Sequence, residues 1–357
     1  MSTTSIVDRV APLFPDDSIV SAEPFAPDTA TATATAKAAG YGAPIRIALV
    51  SKRDGVRRDI VFRVGTVNEL GHDRRADRAA DTLLAYDDFN RVPCHVRAVD
   101  VGASTRDGRL VSLRDWDGLY LIAEYAPGTL YADDLRRIAR GGATAIDLGR
   151  VDRLVGYLAE LHATADAPIA YRRSIRDLVG HGEGIFGVVD NYPGDVPGAT
   201  LARICGIERR CVEWRWRLRE HEGRACRIHG DFHPFNIVFD GDRLTLLDAS
   251  RGTCGDPVDD LTALAVNYLL FALDEHDGWH HLRPLWQRLW AGYARARTDP
   301  SLLRVAPPFF AWRALVVCNP RFYPKLGPAA RDALLGLVET YLDTGRLDPE
   351  WADELFR

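Results

Sequence analysis

The chain has 357 residues, 46 % of them hydrophobic, and a net charge of −5. That length suggests two domains or one large bilobal unit, the apolar share is ample for a core, and the acidic balance argues against an overall basic nucleic-acid binder. None of the six cysteines forms a CxxC pair or a zinc spacing, so they read as scattered reduced thiols. There is no basic-then-apolar leader, and no apolar run approaches the ~20 residues of a membrane span. The reading is a soluble, cytoplasmic protein with neither nucleic acid nor membrane as partner; the sequence leaves its oligomeric state open. Lysine occurs only at Lys37, Lys52 and Lys325, every other basic residue being arginine. Such Arg/Ala richness reflects base composition, but Arg and Lys differ chemically, so each lysine merits attention.

Residues 1–17 read as a short capping segment, followed by a strand over 18–26. Residues 27–44, PDTATATATAKAAGYGAP, are small and Gly-containing, which suits a loop or hairpin tip, although the Thr/Ala alternation also fits a strand of small residues. IRIALVSK (45–52) alternates as a strand, RDGV turns, and 58–64 return, giving an antiparallel sheet. Residues 71–89 carry helical spacing at Ala76, Ala79, Ala80, Leu83 and Leu84, and HVRAVDVG and LYLIAEYAPG follow as strands. Beyond them the character is helical, at 146–164 and roughly over 206–221, 257–274, 281–297 and 329–343. The fold class is therefore α+β, with the boundary near 125–135: an N-terminal lobe over 1–125, a hinge over 126–135 and a helical lobe over 136–357.

The chemistry concentrates in HGDFHPFNIVFDGDRLTLLDASRG, from His229 to Gly252. Charges beside apolar strands are costly unless paired or bound to a metal. Asp231 and Asn236 stand five apart, and a hairpin turning at Asp240-Gly241-Asp242 delivers Asp248 at its far end. Two carboxylates and an amide converging in this way suit phosphoryl transfer, in which one Asp positions the attacking hydroxyl while Asn and a second Asp hold magnesium.

HGDFHPFNIVF and LLDASRGTCGDPVDDLTAL, with LAELHA before them, resemble the aminoglycoside phosphotransferase and choline kinase family, the small-molecule branch of the protein-kinase-like fold. The resemblance covers roughly 120–270 by motif and the N-terminal lobe by architecture. It implies a bilobal ATP- and magnesium-dependent kinase acting on a hydroxyl of a small molecule such as an aminoglycoside, amino sugar or amino alcohol. It implies Asp231 as catalytic base and Asn236 and Asp248 as metal ligands. His229 would brace the loop, His233 and Pro234 would shape it, and Asp256 and Asp260 would support it, an aspartate at a helix start capping free amides. For the nucleotide it implies backbone groups at Glu124 and Ala126, lined by Ile122 and Tyr125. The family's strand lysine is replaced by Arg63, its partner falling to Asp77 or, failing that, Asp81. Lys37, in the segment expected to cover the phosphates, is the rival source of an ammonium.

Other readings weigh against this one. GDFH and GDPVD echo a metallophosphatase, but its third metal-binding block is missing. His276, His280 and His281 read as a solvated helix approach rather than a metal cluster. Trp214, Trp216, Trp279, Trp286, Trp290 and Trp312 are read as core rather than an aromatic cage for a quaternary ammonium, and the acidic end LDPEWADELF as a solvated helix. The alternative from a different class is a non-catalytic kinase-like module that binds nucleotide or a partner; the departure at Arg63 and a covering segment that is long, with its glycines late at Gly40 and Gly42, favour it, and the intact Asp231, Asn236 and Asp248 oppose it.

Overall fold

The structure, a computed structural model, describes residues 3–24, 44–68 and 71–356. Most of the expected covering segment, with Lys37, lies outside the described residues. The chain divides into two compact units, Met1–Ala123 and Glu124–Arg357.

The first unit opens with a helix, α1 (Thr3–Val10), where the sequence reading had only a capping segment. Ile6 and Val10, one turn apart, are buried with Ile47 and Leu49, each side chain contributing about 1.5–3 kcal/mol by leaving water. The sheet beneath is β1 (Asp17–Pro24), β2 (Ile45–Ser51) and β3 (Arg57–Phe62), antiparallel in that order, with Ile47 opposite Ile60 and Ile45 opposite Phe62. Period-two alternation sets its faces: Ile45, Ile47, Leu49, Ile60 and Phe62 pack inward, while Val61 is exposed. A helix, α2 (Arg75–Phe89), and a short hairpin, β4 (Gly102–Ser104) with β5 (Leu110–Ser112), complete the unit.

Two expected strands are corrected. Of HVRAVDVG only its final Gly102 is extended into β4, and LYLIAEYAPG joins no sheet. Leu119, Tyr120, Leu121, Ile122 and Tyr125 are all exposed. Hydrophobic runs suggest buried strands, but a strand also needs a hydrogen-bonded neighbour, and here β3 pairs only with β2 and β5 only with β4.

The second unit is mainly helical. After β6 (Thr129–Leu130) come α3 (Tyr131–Gly141), α4 (Ala145–Leu161), α5 (Pro168–Gly180), α6 (Ile185–Asp190) and α7 (Leu201–Leu218). Four short strands follow: β7 (Cys226–Arg227), β8 (Ile237–Asp240), β9 (Arg243–Leu246) and β10 (Cys254–Gly255). Then come α8 (Pro257–Leu273), α9 (Gly278–Ala296), α10 (Leu302–Val305), α11 (Pro307–Cys318) and α12 (Pro328–Thr344). The α+β division, an antiparallel sheet unit followed by a larger helical one, is as expected. So are α4, α7, α8, α9 and α12 to within a few residues, whereas α3, α5, α6, α10 and α11 were not foreseen.

Helix α8 is mostly apolar beyond the aspartates of its first turn and buried along nearly its whole length, packed between α9 and α11, as a central core helix should be. Its start is set by Asp256, whose carboxylate accepts the Val258 amide at 3.0 Å, and by Pro257 in the first helical position. The foreseen hairpin is present: β8 pairs with β9 from Ile237–Leu246 to Asp240–Arg243, and Gly241 supplies the positive φ of the turn. This hairpin and α8 carry the polar residues discussed next.

Candidate active site

The loop from His229 to Asn236 is held from below by α8. Asp260, fully buried one turn into that helix, accepts the amides of His229 and Gly230, both at 2.8 Å. Its second oxygen also meets His162 Nε2 at 3.1 Å, and His162 Nδ1 lies 2.7 Å from the Tyr293 hydroxyl. Asp260 thus braces the loop as expected, whereas Asp256 caps α8 and bonds Tyr171 and Arg224, touching the loop through no hydrogen bond among the described residues. Gly230 has φ +83°, and a Cβ there would lie 2.6 Å from the Gly252 carbonyl, so only glycine allows the two loops to touch. The loop after β9 therefore runs backbone to backbone against His229–Asp231.

Within the loop, the Asp231 amide donates to His229 Nδ1 at 3.3 Å, and the His229 ring meets Phe232 edge-on. His229 is a brace, as the sequence suggested. The Asn236 amide group donates to the Asp231 carbonyl at 3.1 Å. No described residue donates a hydrogen bond to its Oδ1. The Leu247 amide donates to the Asn236 carbonyl at 2.9 Å, so hairpin pairing sets Asp248 one residue beyond the partner of Asn236. Asp248 is exposed, adopts φ +51°, a left-handed conformation that aspartate tolerates, and accepts the Ser250 amide at 3.3 Å.

The Asp231 carboxylate is buried beside two arginines and a histidine. Its Oδ1 accepts Arg313 Nη1 at 2.7 Å, and its Oδ2 lies 3.3 Å from Arg251 Nε and 3.5 Å from His233 Nε2. Burial opposes its charge, yet His233, Arg313 and Arg251 outweigh burial and hold the carboxyl well below the usual carboxylate range. Arg313 is itself buried and spans three acceptors: Asp231, the Gly230 carbonyl at 3.0 Å and Asp259 Oδ1 at 2.7 Å. Its guanidinium lies 3.8 Å from the centre of the Trp312 ring. Asp259 differs from Asp231: burial pushes its pKa up to about 6, the charges of Asp260 and Asp231 adding while Arg313 opposes.

Arg313, Arg251 and Asp259 were not read from the sequence as site residues. Arg313 had a visible signal: it is the only charged residue in the apolar helix PPFFAWRALVVC, and a lone charge there needs a buried partner. Nothing local revealed that the partner would be Asp231, 82 positions away.

The sequence-assigned nucleotide residues are placed as follows. Arg63 lies one residue past β3, exposed, and no hydrogen bond or ion pair joins it to a described residue. Asp77 caps α2, accepting the Arg74 amide at 3.0 Å, and Asp81 pairs with His72 at 2.6 Å. No hydrogen bond or ion pair is seen between Arg63 and either Asp77 or Asp81 among the described residues. Glu124 is exposed and Ala126 half-buried, in a stretch without strand pairing.

The tryptophans form no aromatic cage. Trp286 and Trp290 sit edge-on in the core and Trp279 stacks on Phe356, while the rings of Trp214, Trp216 and Trp312 each face arginines. A cavity of about 680 Å³ lies between α4 and β9, lined by Asp152, Tyr157, Glu160, Arg243 and Thr245; it contains none of Asp231, Asn236 or Asp248.

Residues 54–300 match the model of the phosphotransferase enzyme family, and the chain belongs to that family. Phosphoryl transfer in general terms follows from that membership. Among solved structures the chain is similar to a microcompartment-associated aminopropanol kinase, at 15 % identity and TM-score 0.41, covering 96 % of this chain and 99 % of that one. It is also similar to a choline/ethanolamine kinase family protein from Mesorhizobium loti, at 15 % identity and TM-score 0.33, covering 78 % and 77 %. A third likeness is to a spectinomycin phosphotransferase, at 11 % identity and TM-score 0.24, covering 99 % and 98 %. No curated protein matches the chain.

Proposed function

We propose that this protein is a small-molecule kinase that transfers the γ-phosphate of ATP to a hydroxyl of an acceptor such as an aminoglycoside, amino sugar or amino alcohol. The observation that carries the reading is Asp231: a buried carboxylate bonded by Arg313 and flanked by Arg251, on a loop that also carries Asn236, whose carbonyl accepts the amide of Leu247, the residue before Asp248.

Magnesium takes hard oxygen ligands, commonly one or two from protein and the rest from phosphate and water. Asn236 Oδ1 and the exposed Asp248 carboxylate fit that demand. Among the described residues no group of three or more His, Cys, Asp or Glu could hold a metal. When bound, the ion neutralises charge on the transferring phosphate. Asp231 orients the acceptor hydroxyl and takes its proton as the hydroxyl oxygen bonds to the terminal phosphorus and the bond to the ADP oxygen breaks. A loose phosphoryl-transfer transition state needs little base help, so orientation of the hydroxyl is the larger part of the role assigned to Asp231. Nucleotide binding is assigned, from the motif resemblance, to Arg63, Asp77, Glu124 and Ala126.

The arginine at position 63, where the family has a lysine, favours the second reading, a non-catalytic module of the same fold. One experiment separates the two: a phosphorylation screen over aminoglycosides, amino sugars, choline and nucleosides, with ADP release measured with and without magnesium. Asp231→Asn should leave nucleotide affinity near the parent and lower turnover by about 10²–10⁴, the low end being natural where a loose transition state needs little base help. Turnover within twofold of the parent would remove Asp231 from the chemistry.

A further inference from the structure

Asp231 presents two unlike oxygens. Oδ1 is gripped at 2.7 Å by Arg313, which is 7 % exposed. Oδ2 has only longer contacts, 3.3 Å to Arg251 and 3.5 Å to His233, and both of those side chains are 28 % exposed. Arg313 is in turn held through both of its terminal nitrogens, while its Nε is buried without a hydrogen-bond partner among the described residues. Its Nη2 donates to Gly230 and Asp259, its plane lies against Trp312, and the Trp312 indole nitrogen donates to the Glu183 carbonyl at 3.0 Å. Arg251, by contrast, divides its donors between Asp231 and Glu183, meeting the Glu183 carbonyl at 3.2 Å and its carboxylate at 3.4 Å.

We propose that Arg313, fixed by Asp259 and Trp312, is a positioning residue that locks Oδ1 of Asp231 and so presents Oδ2 as the oxygen that receives the acceptor hydroxyl. Arg251 is then the partner that the acceptor displaces from Oδ2. The geometry explains why arginine stands at 313. One planar fork reaches a carboxylate, a carbonyl and a second carboxylate at once, whereas an ammonium is a point charge without fixed directions. It also explains the aspartate at 259, next to the Asp260 that braces the loop. Asp259 anchors the far side of the fork, so the orientation of Asp231 is referred to α8, a helix buried along nearly its whole length.

This proposal rests on the phosphotransfer reading, and its test keeps the two apart. Arg313→Lys, Arg313→Gln, Asp259→Asn and the double variant Arg313→Lys/Asp259→Asn are compared with the parent. The readouts are ADP release, with the best acceptor from the screen and with water alone, and the affinity for magnesium-ATP. Misplacing a reacting group by about 1 Å can cost roughly 10²-fold in rate. Arg313→Lys should therefore lower kcat by about 10- to 100-fold and leave ATP affinity within about twofold. Asp259→Asn should lower kcat less, and the double variant should be no slower than Arg313→Lys, because the Asp259 effect passes through Arg313. If the arginine variants fail to fold, Asp259→Asn and Trp312→Phe carry the test, each expected to lower kcat with ATP affinity unchanged. Variants that melt earlier but keep the parent kcat when folded would reduce Arg313 to a structural ion pair and overturn the proposal alone. A parent protein that releases no ADP under any condition overturns the phosphotransfer reading, and the proposal with it.

Discussion

Asp260→Asn tests how the site is held. In the parent, one buried carboxylate accepts two backbone amides at 2.8 Å, from His229 and Gly230, and meets His162 at 3.1 Å. Asparagine keeps the shape but retains one acceptor oxygen and places an NH2 where the other was. One of the two amides then loses its acceptor and faces a donor. A buried donor left unsatisfied costs about 1–3 kcal/mol, and the amide that remains bonded loses its charge assistance, so the loss is about 2–4 kcal/mol. For a unit of this size, each kcal/mol corresponds to roughly 2–4 °C, which puts the fall in Tm on the order of 10 °C. Thermal and urea unfolding followed by tryptophan fluorescence measure it. Turnover should fall further than the folded fraction explains, because the turn that carries Asp231 is no longer pinned to α8. A Tm within about 2 °C of the parent, with full turnover, would refute the claim that Asp260 supports the loop.

Three further outcomes are expected. Asp248→Ala should abolish the tightening of ATP binding by magnesium in calorimetry; equal metal dependence in variant and parent rejects Asp248 as a ligand. Arg63→Ala should weaken nucleotide binding by about 1.5–3 kcal/mol, a charge-assisted hydrogen bond, with Lys37→Ala doing little; the reverse result would move the phosphate contact to Lys37. Asp259 has its folded pKa raised to about 6, so its contribution to stability is fully present below its ordinary value of 3.8 and lost as pH rises through 6. Asp259→Asn, which mimics the protonated acid, should flatten that part of the parent's stability curve between pH 4 and 6; an identical slope in urea titrations of both proteins would contradict the assignment.

The sequence by itself determined what is local. Period-two alternation placed β2 and β3 and their inward faces, since successive strand residues point to opposite sides. Asp240-Gly241-Asp242 set the hairpin turn, and Asp-Pro at 256–257 set the start of α8, because turns and caps are made by neighbours in the chain. The spacing of Asp231, Asn236 and Asp248 was legible for the same reason: a loop and a hairpin keep short sequence separations close in space. Tertiary structure alone decided what crosses the chain. The apolar stretch at 119–125 reads as a strand, yet strand formation depends on a neighbour that no local pattern reveals. Arg313 sits in a helix whose pattern is wholly hydrophobic, and only the packing of α11 against α8 brings it to Asp231 and Asp259. A buried charge announces that it must have a partner, because desolvation is costly, but the identity of that partner is a property of the folded packing.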